Sequence, residues 1–170
     1  MPLKDTKLRP GDPAPDLFLT AVNGVDISLR ACLVEGPALV EFIRGTWCPS
    51  ARARLNDLAA ARGRLREIEL RVLVVVCEDP FTVGRYFEAH PSPLTVLLDP
   101  VRRAARDFGV HQRWAWFARN LARPASFLID RAGFVRFVYV ARLPIEAAPV
   151  DAIVATLAAI DEENLRRRRR

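Results

Sequence analysis

Ala38-Leu39-Val40-Glu41-Phe42-Ile43-Arg44-Gly45-Thr46-Trp47-Cys48-Pro49 decides how this chain reads. The first six residues are apolar except for Glu41, as in a strand covered on both faces, so the stretch predicts the central strand of a sheet. Pro49 stands at a helix's first position, where a missing N–H costs nothing. Leu55, Leu58, Ala59 and Leu65 then recur at helical spacing to about Arg66, with Arg62 the one charged interruption of that stripe. The order is therefore strand, Cys48, helix, and Cys48 falls at a strand's carboxyl end, where open α/β sheets place ligands. Period-two alternation puts Glu41 and Ile43 on one face of the strand and Phe42 on the other, with helices over both.

Outward from this core, Leu17–Thr20 and Val25–Leu29 flank Asn23-Gly24 and predict a small N-terminal hairpin. The preceding arm, with Pro10, Pro13, Pro15 and Gly11, is stiff and extended. Glu69–Val76 is a second buried parallel strand, Phe81–Ala89 a helix, Leu94–Leu98 a strand, and Val101–Phe108 a helix ending before Gly109. Residues 110–123 match no single pattern. Ser126–Ile129 and Phe134–Val140 are antiparallel strands joined through Asp130-Arg131-Ala132-Gly133, and Pro149 opens a helix with Val150, Ile153, Val154, Leu157 and Ile160 on one apolar face. The sum is a three-layer α/β sandwich: a mixed central sheet, helices on both faces, and the N-terminal hairpin. The domain is assigned to residues 1–163, with 164–170 a basic, disordered tail.

The chain has 170 residues, enough for one domain with a real core. Its net charge of +6 falls to +1 once the terminal run Arg166–Arg170 is set aside, so no body-wide excess exists to coat a phosphate backbone, and nucleic acid is not expected as a partner. No apolar run approaches a membrane-spanning length, and Met1-Pro2-Leu3-Lys4-Asp5 lacks the apolar stretch of a secretory signal; the expectation is a cytoplasmic protein with no membrane partner. Cys32, Cys48 and Cys77 form no C-x-x-C pair, which argues against structural zinc, and no metal or cofactor is expected.

Cys48 is the leading candidate for chemistry. A helix N-terminus offers unsatisfied N–H groups and partial positive charge, and Arg44 or Arg52 adds a full one, which favours a nucleophilic thiolate over an inert buried thiol. Phe42-Ile43-Arg44-Gly45-Thr46-Trp47-Cys48-Pro49 resembles the F-Y-R-G-x-W-C-P signature of peroxiredoxin-like proteins of the alkyl hydroperoxide reductase/thiol-specific antioxidant (AhpC/TSA, redoxin) family, in the thioredoxin-like superfamily. Gly11-Asp12-Pro13-Ala14-Pro15-Asp16 is similar to that family's G-x-x-A-P-D, Leu97-Leu98-Asp99-Pro100 to its L-x-D-P, and Pro124–Gly133 to its P-A-T-x-x-I-D-R-x-G. The resemblance implies a thioredoxin-like fold with Cys48 as the attacking thiol. It also implies a cis Arg123–Pro124 bond facing Cys48, and in Val40-Glu41-Phe42 a buried acid that moves a proton beneath the sulfur. The other reading of Glu41 is a carboxylate paired with an arginine.

Ala51 stands where such proteins usually carry the second cysteine of W-C-P-x-C, so a disulfide within that motif is excluded. Gly45 stands where threonine or serine is usual and Pro124 where arginine is usual, with Thr46 and Arg123 each one residue away. The implied activity is that of a thiol-dependent antioxidant oxidoreductase, a one-cysteine peroxidase. In it Cys48, Thr46, Arg123 and Glu41 are catalytic, and Arg44, Trp47 and Pro124 bind substrate. The implied partners are a peroxide or small thiol substrate, an external thiol reductant (a thioredoxin-like protein or a low-molecular-weight thiol), and a second copy in a homodimer. The rival class is a non-enzymatic thioredoxin-fold module for redox sensing or binding. Cys77 ends the second parallel strand on the same sheet edge as Cys48, at a span that a disulfide bridges only with backbone movement. Cys32 reads as packing, and His90 and His111 as solvated or structural, while Trp114, Trp116 and Phe117 read either as a cover over the site or as packing beneath a loop.

Overall fold

The computed structural model describes residues 8–115 and 118–168; Trp116 and Phe117 lie outside the described residues. In chain order the elements are β1 (Phe18–Thr20), β2 (Asp26–Ser28), α1 (Leu29–Glu35), β3 (Ala38–Ile43), α2 (Pro49–Glu67), β4 (Arg71–Val76), α3 (Pro80–Ala89), β5 (Thr95–Leu98), α4 (Arg103–Asp107), β6 (His111–Ala115), β7 (Ala118–Ala122), β8 (Ala125–Ile129), β9 (Val135–Val140) and α5 (Val150–Arg168). The central sheet runs β5-β4-β3-β8-β9, parallel across β5, β4 and β3 and antiparallel from β3 to β8 and β8 to β9. All six residues of β3 are buried, as an apolar strand flanked on both sides requires.

Two cores lie on the two faces of this sheet. One gathers Ala38, Val40 and Phe42 of β3 with α1, α4 and the N-terminal hairpin; Phe42, Phe108 and Phe127 meet there at ring separations of 5.1 to 6.0 Å. The other gathers Leu39 and Ile43 with Leu55, Leu58 and Leu65 of α2, Val83 of α3, and Ile153 and Leu157 of α5. The proline-rich arm is pinned across the β8–β9 turn, with the Gly11 N–H donating to the Val135 carbonyl and the Ala14 N–H to that of Gly133.

Several elements differ from the sequence reading. α1 is too short to show a helical period, but Ser28 caps it by accepting the Ala31 N–H, and it carries Cys32 into the first core. Residues 110–123 contain the β6–β7 hairpin, a separate two-stranded sheet. The tail assigned as disordered is helical through Arg168: Glu162, Glu163, Leu165 and Arg166 are good helix formers, and Glu162 pairs with Arg166 one turn on at 3.6 Å. No described peptide bond is cis, so the Arg123–Pro124 bond is trans. Extended chain carries β7 into β8 there, with the Arg123 N–H donating to the Val110 carbonyl and the Ala141 N–H to that of Pro124.

Glu41 is 2% exposed, in the middle of the central strand. Its partner is the equally buried Arg54 of α2, whose Nε reaches Oε1 at 2.7 Å and whose Nη2 reaches Oε2 at 3.0 Å. The Ser126 hydroxyl of β8 donates to Oε2 at 2.6 Å, and Arg54 Nη1 donates to the Ala148 carbonyl at 2.8 Å. One ion pair therefore joins β3, α2, β8 and the segment before α5. Burial pushes the Glu41 carboxyl above its ordinary range, and the Arg54 hydrogen bonds and charge, then the Ser126 hydroxyl, oppose that push. A protonated Glu41 would leave Arg54 charged and buried without a counterion, so the pair is a framework interaction. Replacing Glu41 by Gln, or Arg54 by Met, is expected to cost about 3–5 kcal/mol in urea denaturation, with Glu41→Leu/Arg54→Met recovering much of the loss. Single variants as stable as the parent would show that the pair carries no such constraint.

Candidate active site

β3 ends at Ile43 and α2 starts at Pro49, so Arg44–Cys48 form a turn on the carboxyl edge of the sheet. Cys48 is the residue before the first turn of the 19-residue α2, and its N–H donates to the Gly45 carbonyl at 3.2 Å. Its side chain makes no capping hydrogen bond and is 3% exposed, packed in the core shared with Ile43, Ala51 and Ala148. The sulfur thus lies at the positive end of the α2 dipole, on the face occupied by Glu41 and Arg54.

Thr46 is buried, and its polar groups are held by two elements. Its N–H and its hydroxyl both donate to Glu78 Oε2, at 2.6 and 2.8 Å, and Arg52 Nε donates to its carbonyl at 2.5 Å. Gly45 makes room for this arrangement. Its φ of 155° is one that side-chain-bearing residues rarely adopt, and a Cβ there would meet Trp47 Nε1 at 2.5 Å and Glu78 Oε2 at 3.1 Å. Arg44 stacks over the exposed Trp47 ring at 5.1 Å, and Arg52 over Tyr86 at the same distance.

β8 brings the other candidates to this edge. Ala125 pairs with Phe42, so Pro124 and Arg123 lie one and two residues beyond the last β3–β8 pair, beside the start of the Arg44–Cys48 turn. Arg123 is buried and donates from Nη2 to the Ala141 carbonyl at 2.8 Å. Glu41, Arg44 and Pro124 line one cavity of about 250 Å³ together with Ser50, Ala51 and Ile145. The structure therefore gathers Cys48, Thr46, Arg44 and Trp47 in one turn and sets Pro124 against the first turn of α2. Glu41 stands behind them in its ion pair.

Sequence reasoning missed Arg54, Ser126 and Glu78. Arg54 was detectable: it lies between Ala51 and Leu58 on the helix stripe that must face Glu41, so it, and not Arg62, is the buried charge of α2. Glu78 gives no such signal, because it follows β4 in an ordinary polar loop. His90 stacks on Tyr86, the ring over which Arg52 lies, and His111 contacts the Asn120 side chain at 2.7 Å. Among the described residues no group of three or more His, Cys, Asp or Glu is placed to hold a metal.

The three thiols are partitioned by the sheet. Cys48 lies in the α2–α5 core, whereas Cys32 and Cys77 lie in the core on the opposite face. Cys77 contacts Asp99 Oδ2 at 3.7 Å, and Arg71 Nη1 approaches Cys32 at 3.9 Å.

A family model described as the AhpC/TSA family matches residues 10–138. The chain belongs to the AhpC/TSA family. Membership places it among the thiol-dependent peroxidases and antioxidant enzymes, which take a peroxide as oxidant and a thiol as reductant. Among solved structures it is similar to peroxidoxin BcpB of Mycobacterium tuberculosis, with a TM-score of 0.79 at 21% identity over 90% of this chain and 98% of that one. AhpC of the same organism gives 0.76 at 17% identity over 91% and 98%, and the reduced 2-Cys peroxiredoxin of Plasmodium vivax 0.75 at 19% over 91% and 97%. These likenesses show that the AhpC/TSA chain has their thioredoxin-like fold. No curated protein matches it significantly.

Burial first, and then the Asp99 charge, push the Cys77 thiol up to about 12. Below about pH 9 this leaves stability unchanged. Above it the unfolded chain releases a proton that the folded one retains, so stability falls as pH rises toward 12. Native protein treated with iodoacetamide is expected to leave Cys77 unlabelled up to about pH 10 by mass spectrometry. Labelling of Cys77 at neutral pH in the folded protein would contradict its burial.

Proposed function

We propose that the chain is a one-cysteine thiol peroxidase acting in a reducing compartment such as the cytoplasm. The Cys48 thiolate attacks one peroxide oxygen; the O–O bond breaks, the distal oxygen leaves as water or an alcohol after taking up a proton, and Cys48 becomes a sulfenic acid. An external thiol then displaces water to give a mixed disulfide. A second thiol attacks that bond, restoring the Cys48 thiol and leaving the reductant as its disulfide. A thioredoxin-like protein or a low-molecular-weight thiol fills this role.

The partition of the cysteines is the observation that carries the reading: Cys48 has no other thiol on its face of the sheet, and Ala51 supplies none in the helix. Arg44 lies in the turn and the register of β3 and β8 places Arg123 beside its start, so both are suited to steady the negative charge that develops as the O–O bond breaks. Trp47, exposed beneath Arg44, is suited to flank the substrate.

Redox sensing without turnover is the second reading, and Thr46 favours it: its hydroxyl proton is committed to Glu78 and not offered to a peroxide. Steady consumption of hydrogen peroxide or an organic hydroperoxide with excess thiol separates the two. Turnover lost in Cys48→Ser and kept in Cys32→Ser/Cys77→Ser is the expected result. Oxidation of Cys48 that stops after one event under the same conditions would select the sensor, and turnover surviving Cys48→Ser would remove both.

A further inference from the structure

We propose that Glu78 is a positioning residue for Cys48, holding the Arg44–Cys48 turn in the shape that presents the sulfur; this rests on reading Cys48 as the peroxide-reacting thiol. Glu78 is itself firmly based. It follows β4, whose Val76 pairs with Ile43, and it precedes Asp79, which caps α3 by accepting the Thr82 N–H at 2.8 Å. From that base a single oxygen, Oε2, receives both the N–H and the hydroxyl of Thr46. Two donors from one residue on one acceptor fix the Thr46 side-chain rotamer and the orientation of the Gly45–Thr46 peptide together.

That peptide governs the sulfur. Cys48 is two residues on, and its N–H closes the turn on the Gly45 carbonyl, which belongs to the same peptide unit as the Thr46 N–H that Glu78 holds. Arg52 secures the next peptide through the Thr46 carbonyl, so α2 and the end of β4 grip Thr46 from two sides. Gly45 lacks the Cβ that would crowd Glu78 Oε2. Glu78 reaches the reaction only through Thr46.

The test compares Glu78→Ala, Glu78→Gln and the parent as full chains, reading melting temperature, Cys48 oxidation by hydrogen peroxide, and Cys48 alkylation by iodoacetamide. Peroxide is small and needs an aligned sulfur, whereas the bulkier alkylating agent reports how open the turn is. Glu78→Ala is expected to slow oxidation about ten- to a hundredfold, the scale of an ångström misplacement, while alkylation rises. Glu78→Gln, whose amide oxygen accepts the same two donors, is expected to restore both toward the parent. If Glu78→Ala fails to fold, Glu78→Asp, one methylene short of Thr46, replaces it with the same expectation. Oxidation at the parental rate, a Gln variant as impaired as Ala, or alkylation falling together with oxidation would overturn the proposal. A parent protein inert to peroxide would sink the peroxidase reading alone, since the alkylation ratio still decides whether Glu78 holds the turn.

Discussion

A carboxylate inside the central strand constrains everything around it. Left unpaired in the interior, Glu41 would cost several kcal/mol of lost hydration, so the fold must supply a cation and enough donors at fixed positions. Arg54 and Ser126 supply them, and Arg54 spends a further donor on the Ala148 carbonyl. The bidentate fork tolerates little rotation or sliding of α2 against β3. Because α2 begins at Pro49, fixing Arg54 little more than one turn into the helix also fixes where its N-terminus, and with it Cys48, meets the sheet edge.

The second constraint acts on the turn itself. Between Ile43 and Pro49 the chain must leave a buried strand and enter a helix, and its buried peptides need partners. Glu78 and Arg52 provide them at Thr46, while the glycine at 45 admits a backbone angle that other residues resist. The sheet separates this turn from the other two cysteines. A reactive sulfur is thereby isolated from in-chain thiols by packing and not by sequence distance, since Cys32 and Cys77 are held under the opposite layer by the Phe42, Phe108 and Phe127 core.

Much of this was legible in the sequence because it depends on local pattern. The β3 run, Pro49 at the helix start, the alternation that puts Glu41 and Ile43 on one face, and the junction at Cys48 all follow from periods of two and 3.6. α1 and the β6–β7 hairpin were not legible: α1 has seven residues, and residues 110–123 mix His, Gln, Arg and Trp without alternation. The geometry of Arg123–Pro124 was carried from resemblance and not from this chain's own pattern; the bond is trans, with the neighbouring backbone paired to Val110 and Ala141. Glu78 was beyond sequence reasoning because its partner is joined to it only by the pairing of β4 with β3. Thr46 was legible as a site residue, but the destination of its hydroxyl proton was not.

Mass spectrometry of the intact, non-reduced protein after one equivalent of hydrogen peroxide, followed by peptide mapping, tests the central claim most directly. The account expects a gain of one oxygen atom located at Cys48, with Cys32 and Cys77 still reduced and the adduct removed by added thiol. A loss of two hydrogens, with Cys48 bridged to Cys32 or Cys77 in the same chain, would contradict it.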